Sequence, residues 1–128
     1  MTTSLACIAL LGLLVFGLGL CVSLRRSSSK KGIGHDPSPT DLLHKLVRAH
    51  GNSAEYAPML AILMLALGSL ETAPWVGFAM WAAVGCRYLI VAGLLYGSLN
   101  DPNPMRFVGA AGTYASGIAL VVAVFTSV

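Results

Sequence analysis

Uncharged residues run unbroken from Ser4 to Leu24, a stretch of about 21 residues that at 1.5 Å per residue covers a hydrocarbon core of about 30 Å. This predicts a first membrane-spanning helix over 4–24. The charge follows the apolar run instead of preceding it, and no small-residue cleavage site comes after, so the segment reads as an anchor and not as a removable signal peptide. Residues 25–40, RRSSSKKGIGHDPSPT, combine serine, glycine, proline and charge as a solvated loop does. Thr40 or Asp41 then offers an N-cap for a helix over 42–70. Only its second half, from Ala57, is apolar, about 14 residues and too few to span alone. The polar first half must therefore enter the membrane or the headgroup region with it. Pro58 inside this helix predicts a kink, with neighbouring groups satisfying the freed carbonyl.

Glu71 to Pro74 forms a short turn, and a third span is expected over 75–99, interrupted by Arg87, with Trp75 and Trp81 at or near an interface. NDPNP at 100–104 is a strong loop signal, after which 105–126 reads as a fourth span. Its first half carries Gly109, Ala110, Gly112, Ala115 and Gly117, which permit close helix contact. The expected fold class is all-α, a four-helix transmembrane bundle forming a single domain over 1–128.

Composition supports this reading. Of 128 residues, 56% are hydrophobic and 10% charged, against about 25% charged in an average soluble domain, and the mean hydropathy is +0.78. That balance argues against a soluble enzyme, a disordered chain and a disulfide-stapled secreted domain. The formal net charge of +3 does not point to nucleic acid, because half the basic residues sit in one short stretch, Arg25, Arg26, Lys30 and Lys31, beside a span. That cluster and Arg106 fall on one side of the four-span topology, while the 71–74 turn carries no lysine or arginine. The first and third loops are therefore expected to be cytoplasmic, with both termini on the opposite side. Cys7, Cys21 and Cys86 lie in apolar runs without ligand spacing and read as small hydrophobes; no metal site is expected.

The most informative stretch is RAHGNSAEYAP at 48–58. On a helix Arg48, Asn52 and Glu55 stand at i, i+4 and i+7 and project from one face, with Tyr56 beside them. A cation, an amide and a carboxylate thus make one polar stripe, and such residues in a membrane face a bundle interior, a cavity or a partner. The stripe suits a charged, peptide-like ligand; the structural alternative is that it only holds the bundle together. Arg87, near the middle of the third span, is expected to pair with Glu55, near the middle of the second. Arg106 sits in the first turn of the fourth helix, where the helix dipole disfavours a cation. Local stability therefore does not account for it, whereas an anion site at the helix N-terminus does; a snorkelling anchor is the bland alternative. Tyr88, Tyr96 and Tyr114 are expected to pack or to sit at an interface.

Four short helices, a basic first loop and the 48–58 motif, with Arg87 and Arg106 in weaker support, resemble the MAPEG family, the membrane-associated proteins in eicosanoid and glutathione metabolism. The resemblance implies a homotrimer of four-helix protomers. It further implies glutathione as co-substrate between subunits near the cytoplasmic side, and a lipophilic second substrate entering from the membrane. It assigns thiolate stabilisation to Arg106 and ligand contacts to Arg48, Asn52, Glu55 and Tyr56, with Arg87 in the same constellation and Arg25 or Arg26 placed where a first-loop arginine reaches the ligand. Ile90 and Leu94 stand where the better-understood enzymes carry tyrosines. The function expected is a glutathione-dependent transferase or peroxidase acting on a lipophilic electrophile or lipid hydroperoxide. The runner-up is a non-catalytic membrane protein whose stripe serves trimer assembly, lipid binding or docking in a larger complex. A small transporter is weaker, since the chain carries no inverted repeat or acidic relay.

Overall fold

The computed structural model describes residues 1–127. Four helices follow one another along the chain: α1 (Thr2–Ser29), α2 (Leu42–Gly68), α3 (Pro74–Leu95) and α4 (Pro104–Thr126), with no strand among the described residues.

α1 outruns its apolar stretch by five residues, so that Arg25 and Arg26 are helical and not part of a loop. Nothing in RRSSS forbids a helix: arginine is a good helix former, basic residues suit a C-terminus, and the Ser28 and Ser29 hydroxyls donate back to Arg25 O at 3.0 and 2.8 Å. The helix stops at Lys30, whose left-handed φ of 52° lets its N–H reach Arg26 O and Ser27 O. α2 is capped by Asp41, whose Oδ1 accepts from His44 N at 2.8 Å. Loss of an N-cap acceptor costs about 1 kcal/mol, so we expect Asp41→Ala to lower thermal unfolding stability by that amount and Asp41→Asn to leave it nearly intact. α3 ends four residues before the expected Leu99, because the chain turns through Gly97 at a φ of 72°.

α3 on α4 and α1 on α2 are the two most extensive helix pairings. One core cluster joins Cys7, Leu11, Leu60, Met64, Met80 and Leu120; a second, nearer the first and third loops, joins Leu14, Leu18, Leu46, Ala49, Ile90 and Leu94. Outside these clusters the bundle is greasy. Phe16, Phe78, Phe107 and Phe125 are each at least 75% exposed, far more apolar surface than a water-soluble monomer tolerates. α1, α3 and α4 are each long and apolar enough to cross a membrane. α2 is not among them, because Lys45, Arg48 and Glu55 interrupt its first half, although its 27 residues extend about 40 Å. The chain is a membrane protein with several apolar helices. The first and third loops meet at one end, where Leu99 N donates to Pro39 O at 3.0 Å.

Candidate functional site

At that end a cavity of about 560 Å³ opens between α2, α3 and the start of α4. α2 contributes Arg48 and Asn52, α3 contributes Ile90 and Leu94, and α4 contributes Arg106, Phe107 and Ala110. The remaining wall is the 99–103 segment. Two of the polar wall residues, Asn103 and Arg106, are positioned by interactions close by in the chain. Asn103 Oδ1 accepts from Met105 N at 2.9 Å and so caps α4, while its Nδ2 donates to Gly93 O at 3.1 Å and ties the cap to α3. Both ends of that amide are engaged, which fixes its orientation at the cavity rim. Arg106 Nη1 donates to Leu99 O at 2.7 Å and more weakly to Asp101 O at 3.4 Å. These bonds hold the guanidinium against the 99–103 segment in the first turn of α4, where the helix dipole adds positive field. Two guanidinium groups, three asparagine amides and a helix N-terminus thus surround one space with apolar walls, and Asp101 supplies a carboxylate at its margin.

Arg87 lies elsewhere. Only 1% exposed, it does not line the cavity, and it is not paired with Glu55: no ion pair forms among the described residues, and Glu55 is exposed. Instead Arg87 Nη2 donates to Asn52 O at 2.9 Å and to Asn52 Oδ1 at 2.6 Å, and its guanidinium carbon lies 4.9 Å from the Tyr56 ring centroid. Helix geometry explains the difference. Asn52 and Tyr56 are one turn apart on the same side of α2, whereas Glu55 is rotated about 100° from Tyr56. The two residues that face Arg87 are therefore 52 and 56, and the carboxylate points away. Arg87 Nε has no hydrogen-bond partner among the described residues; Arg87 also borders a void of about 10 Å³ shared with Thr113 and Tyr114, close to the minimum space for one water.

Glu55 and Tyr56 instead border an apolar groove of about 360 Å³ between α2 and α4, with Met59, Leu63, Tyr114 and Ile118. Within it the Tyr56 and Tyr114 hydroxyls lie 3.0 Å apart. The polar stripe is thus divided: Arg48 and Asn52 turn to the cavity, Glu55 and Tyr56 to the groove. Arg26 Nη1 donates to Gly32 O and Gly34 O, each at 3.1 Å, folding its own loop; Arg25 is exposed, and neither arginine lines the cavity. Within one chain, then, Arg48, Asn52 and Arg106 come together, Arg87 joins them through Asn52, and Arg25, Arg26 and Glu55 stand apart. The 99–103 wall was not anticipated as part of a site. Its signal was present in the adjacency of NDPNP to Arg106, since a turn that sets an arginine in a first helical turn must lie beside whatever that arginine faces.

The family model for the MAPEG family matches residues 4–126, nearly the whole chain. The chain belongs to the MAPEG family. A comparison with curated proteins found no match. In this MAPEG protein the match runs through all four helices, so the cavity, the Arg87 contact and the groove all lie within the family domain.

Proposed function

We propose that this MAPEG protein is a membrane-bound glutathione-dependent transferase or peroxidase, acting on a lipophilic electrophile or lipid hydroperoxide, in which Arg106 stabilises the glutathione thiolate. The observation that carries the reading is the meeting of Arg48, Asn52 and Arg106 in one cavity with apolar walls. A thiol with a pKa of about 8.5 is only a few per cent ionised at neutral pH, and a guanidinium beside the sulfur favours the thiolate. Arg48 and Asn52 offer a cation and an amide to the rest of an anionic tripeptide, while Ile90, Leu94 and Phe107 give an acyl-like substrate an apolar wall. In transfer the thiol proton leaves to water, the sulfur forms a C–S bond, and the displaced group takes the electron pair. In peroxide reduction the sulfur attacks the terminal oxygen, the O–O bond breaks and the alcohol departs. A second glutathione then returns the oxidised sulfur as disulfide and water. No metal is needed for either route.

The reading includes a homotrimer, with the α2–α4 groove and Glu55 facing a neighbouring copy, and a cytoplasmic position for the first and third loops. Charge supports the latter: Arg25, Arg26, Lys30, Lys31 and Arg106 gather at the end where those loops meet. A non-catalytic role has one observation in its favour, since the Arg87–Asn52 contact is complete within a single chain and ties α2 to α3 without any ligand. The two readings separate in one measurement. Adding glutathione to the purified protein in lipid or detergent at neutral pH should raise the ultraviolet thiolate band, with calorimetric binding of the same stoichiometry. Absence of both from the wild-type protein removes the enzymatic reading and leaves the structural one.

A further inference from the structure

Among the described residues, Asn52 alone both hydrogen-bonds Arg87 and lines the cavity. A primary amide has two faces, an acceptor oxygen and a donor NH2. Arg87 Nη2 claims the oxygen at 2.6 Å and the backbone carbonyl of the same residue at 2.9 Å, a two-point grip on one amino acid from a guanidinium that is 1% exposed. Guanidinium has donors only, so the amide cannot turn its nitrogen toward Arg87 without leaving a buried cation against another donor. Tyr56 closes the other side, its ring 4.9 Å from the guanidinium carbon and its hydroxyl held at 3.0 Å from that of Tyr114. Asn52 Nδ2 makes no hydrogen bond among the described residues and, unlike Arg87 Nε, is not among the buried unpaired atoms.

We infer that Arg87 is a positioning residue that fixes the Asn52 amide with its NH2 toward the cavity, so that the α2 wall presents donors alone and selects a ligand group that is a pure acceptor, a carboxylate. The inference rests on the reading of the cavity as a glutathione site and deepens it: with Arg106 at the sulfur, Arg48 and Asn52 Nδ2 recognise a carboxylate and discriminate against the corresponding primary amide, whose NH2 would face donors. Arg87 does so without touching the ligand. The cost of setting donor against donor is what lets a hydrogen-bonding site reject a near-isostere.

The test compares the affinities of glutathione and its two mono-amides, the glycyl amide and the γ-glutamyl α-amide, for four proteins. Wild type should bind at least one mono-amide about 10-fold or more weaker than glutathione. In Arg87→Leu the Asn52 amide is free to turn its oxygen outward, and the ratio should fall to within about 3-fold. Arg87→Gln restores a donor toward Asn52 Oδ1 and should recover the discrimination, which a merely structural role for the charge would not. Asn52→Asp keeps the Arg87 contact but puts acceptors where the donor stood, and should bind glutathione about 10-fold or more weaker. An unchanged ratio in Arg87→Leu, or wild-type affinity in Asn52→Asp, overturns the inference while glutathione binding itself stands; the second variant decides should the first not fold. Failure of wild type to bind glutathione at all overturns the site reading and this inference together.

Discussion

Replacing Arg106 by alanine should remove the thiolate band that glutathione produces and lower glutathione-dependent turnover by about 10²–10³-fold, the usual loss when one preorganised donor to a developing anion is deleted. The fold should survive. Arg106 is only partly buried and gives up bonds from Nη1 to two loop carbonyls, a net loss of about 0.5–1.5 kcal/mol per good bond. Against that loss, a cation in the first turn of a helix is itself unfavourable by about 0.3–1 kcal/mol. The two terms nearly cancel, so stability should change little while chemistry changes a great deal. Stopped-flow absorbance with glutathione, steady-state conjugation of a lipophilic electrophile and a circular-dichroism melt on the same preparation give the three numbers. Arg106→Lys should retain a fraction of activity, because a point charge replaces the fork but not its reach to Leu99 O. Turnover within threefold of wild type in Arg106→Ala would place the thiolate elsewhere.

The contrast with Arg87 follows from burial. Arg106 can be lost at little structural cost because water and the loop carbonyls share its surroundings, whereas Arg87 is sealed between α2, α3 and the Tyr56 ring. Removing only one member of a buried, hydrogen-bonded set leaves the other unsatisfied. The two arginines therefore act in different ways on the same cavity: one as a cation on its wall, the other through the orientation of Asn52.

Four apolar or half-apolar stretches separated by turn-forming residues were enough to read the helices, their order and the side-by-side placement of the basic first loop and Arg106. What escaped was azimuth and extent. Depth along two antiparallel helices follows from residue counting, and by depth Glu55 and Arg87 belong together. Which side chain of α2 meets α3 depends on how the helix is rolled, and the roll is set by which small and apolar residues pack: Ala49, Ser53, Ala57 and Leu60 turn inward, which brings Asn52 and Tyr56 to Arg87 and turns Glu55 out. The ends of α1 and α3 were misjudged for opposite reasons. RRSSS has the letters of a loop but no residue that breaks a helix, and LLYGSL has the letters of a span but contains the glycine whose left-handed backbone ends one.

The largest structural effect is expected at Gly109, where α3 and α4 come closest to backbone contact. A Cβ there would stand 2.7 Å from Ile90 N, 2.9 Å from Cys86 O and 2.9 Å from Ile90 Cβ. Two of those three neighbours are α3 backbone, which cannot swing aside as a side chain can, so even alanine must push α3 and α4 apart. Gly93 is matched to the same seam from the other helix, its would-be Cβ 2.8 Å from Arg106 N. Close backbone approach through glycine is how membrane helices gain van der Waals contact where lipid offers no hydrophobic drive. Overpacking costs about 1–3 kcal/mol in soluble cores, here set against the gain of up to about 1 kcal/mol that alanine brings over glycine inside a helix. Gly12, with nothing in the chain within 4 Å of its would-be Cβ, has only the gain. We therefore expect Gly12→Ala to raise the unfolding temperature and Gly109→Ala to lower it, with Gly109→Leu failing to give a monodisperse protein. Because Ile90 borders both the seam and the cavity, Gly109→Ala should also weaken glutathione binding. A Gly109→Ala protein as stable as Gly12→Ala would mean that α3 and α4 do not approach this closely.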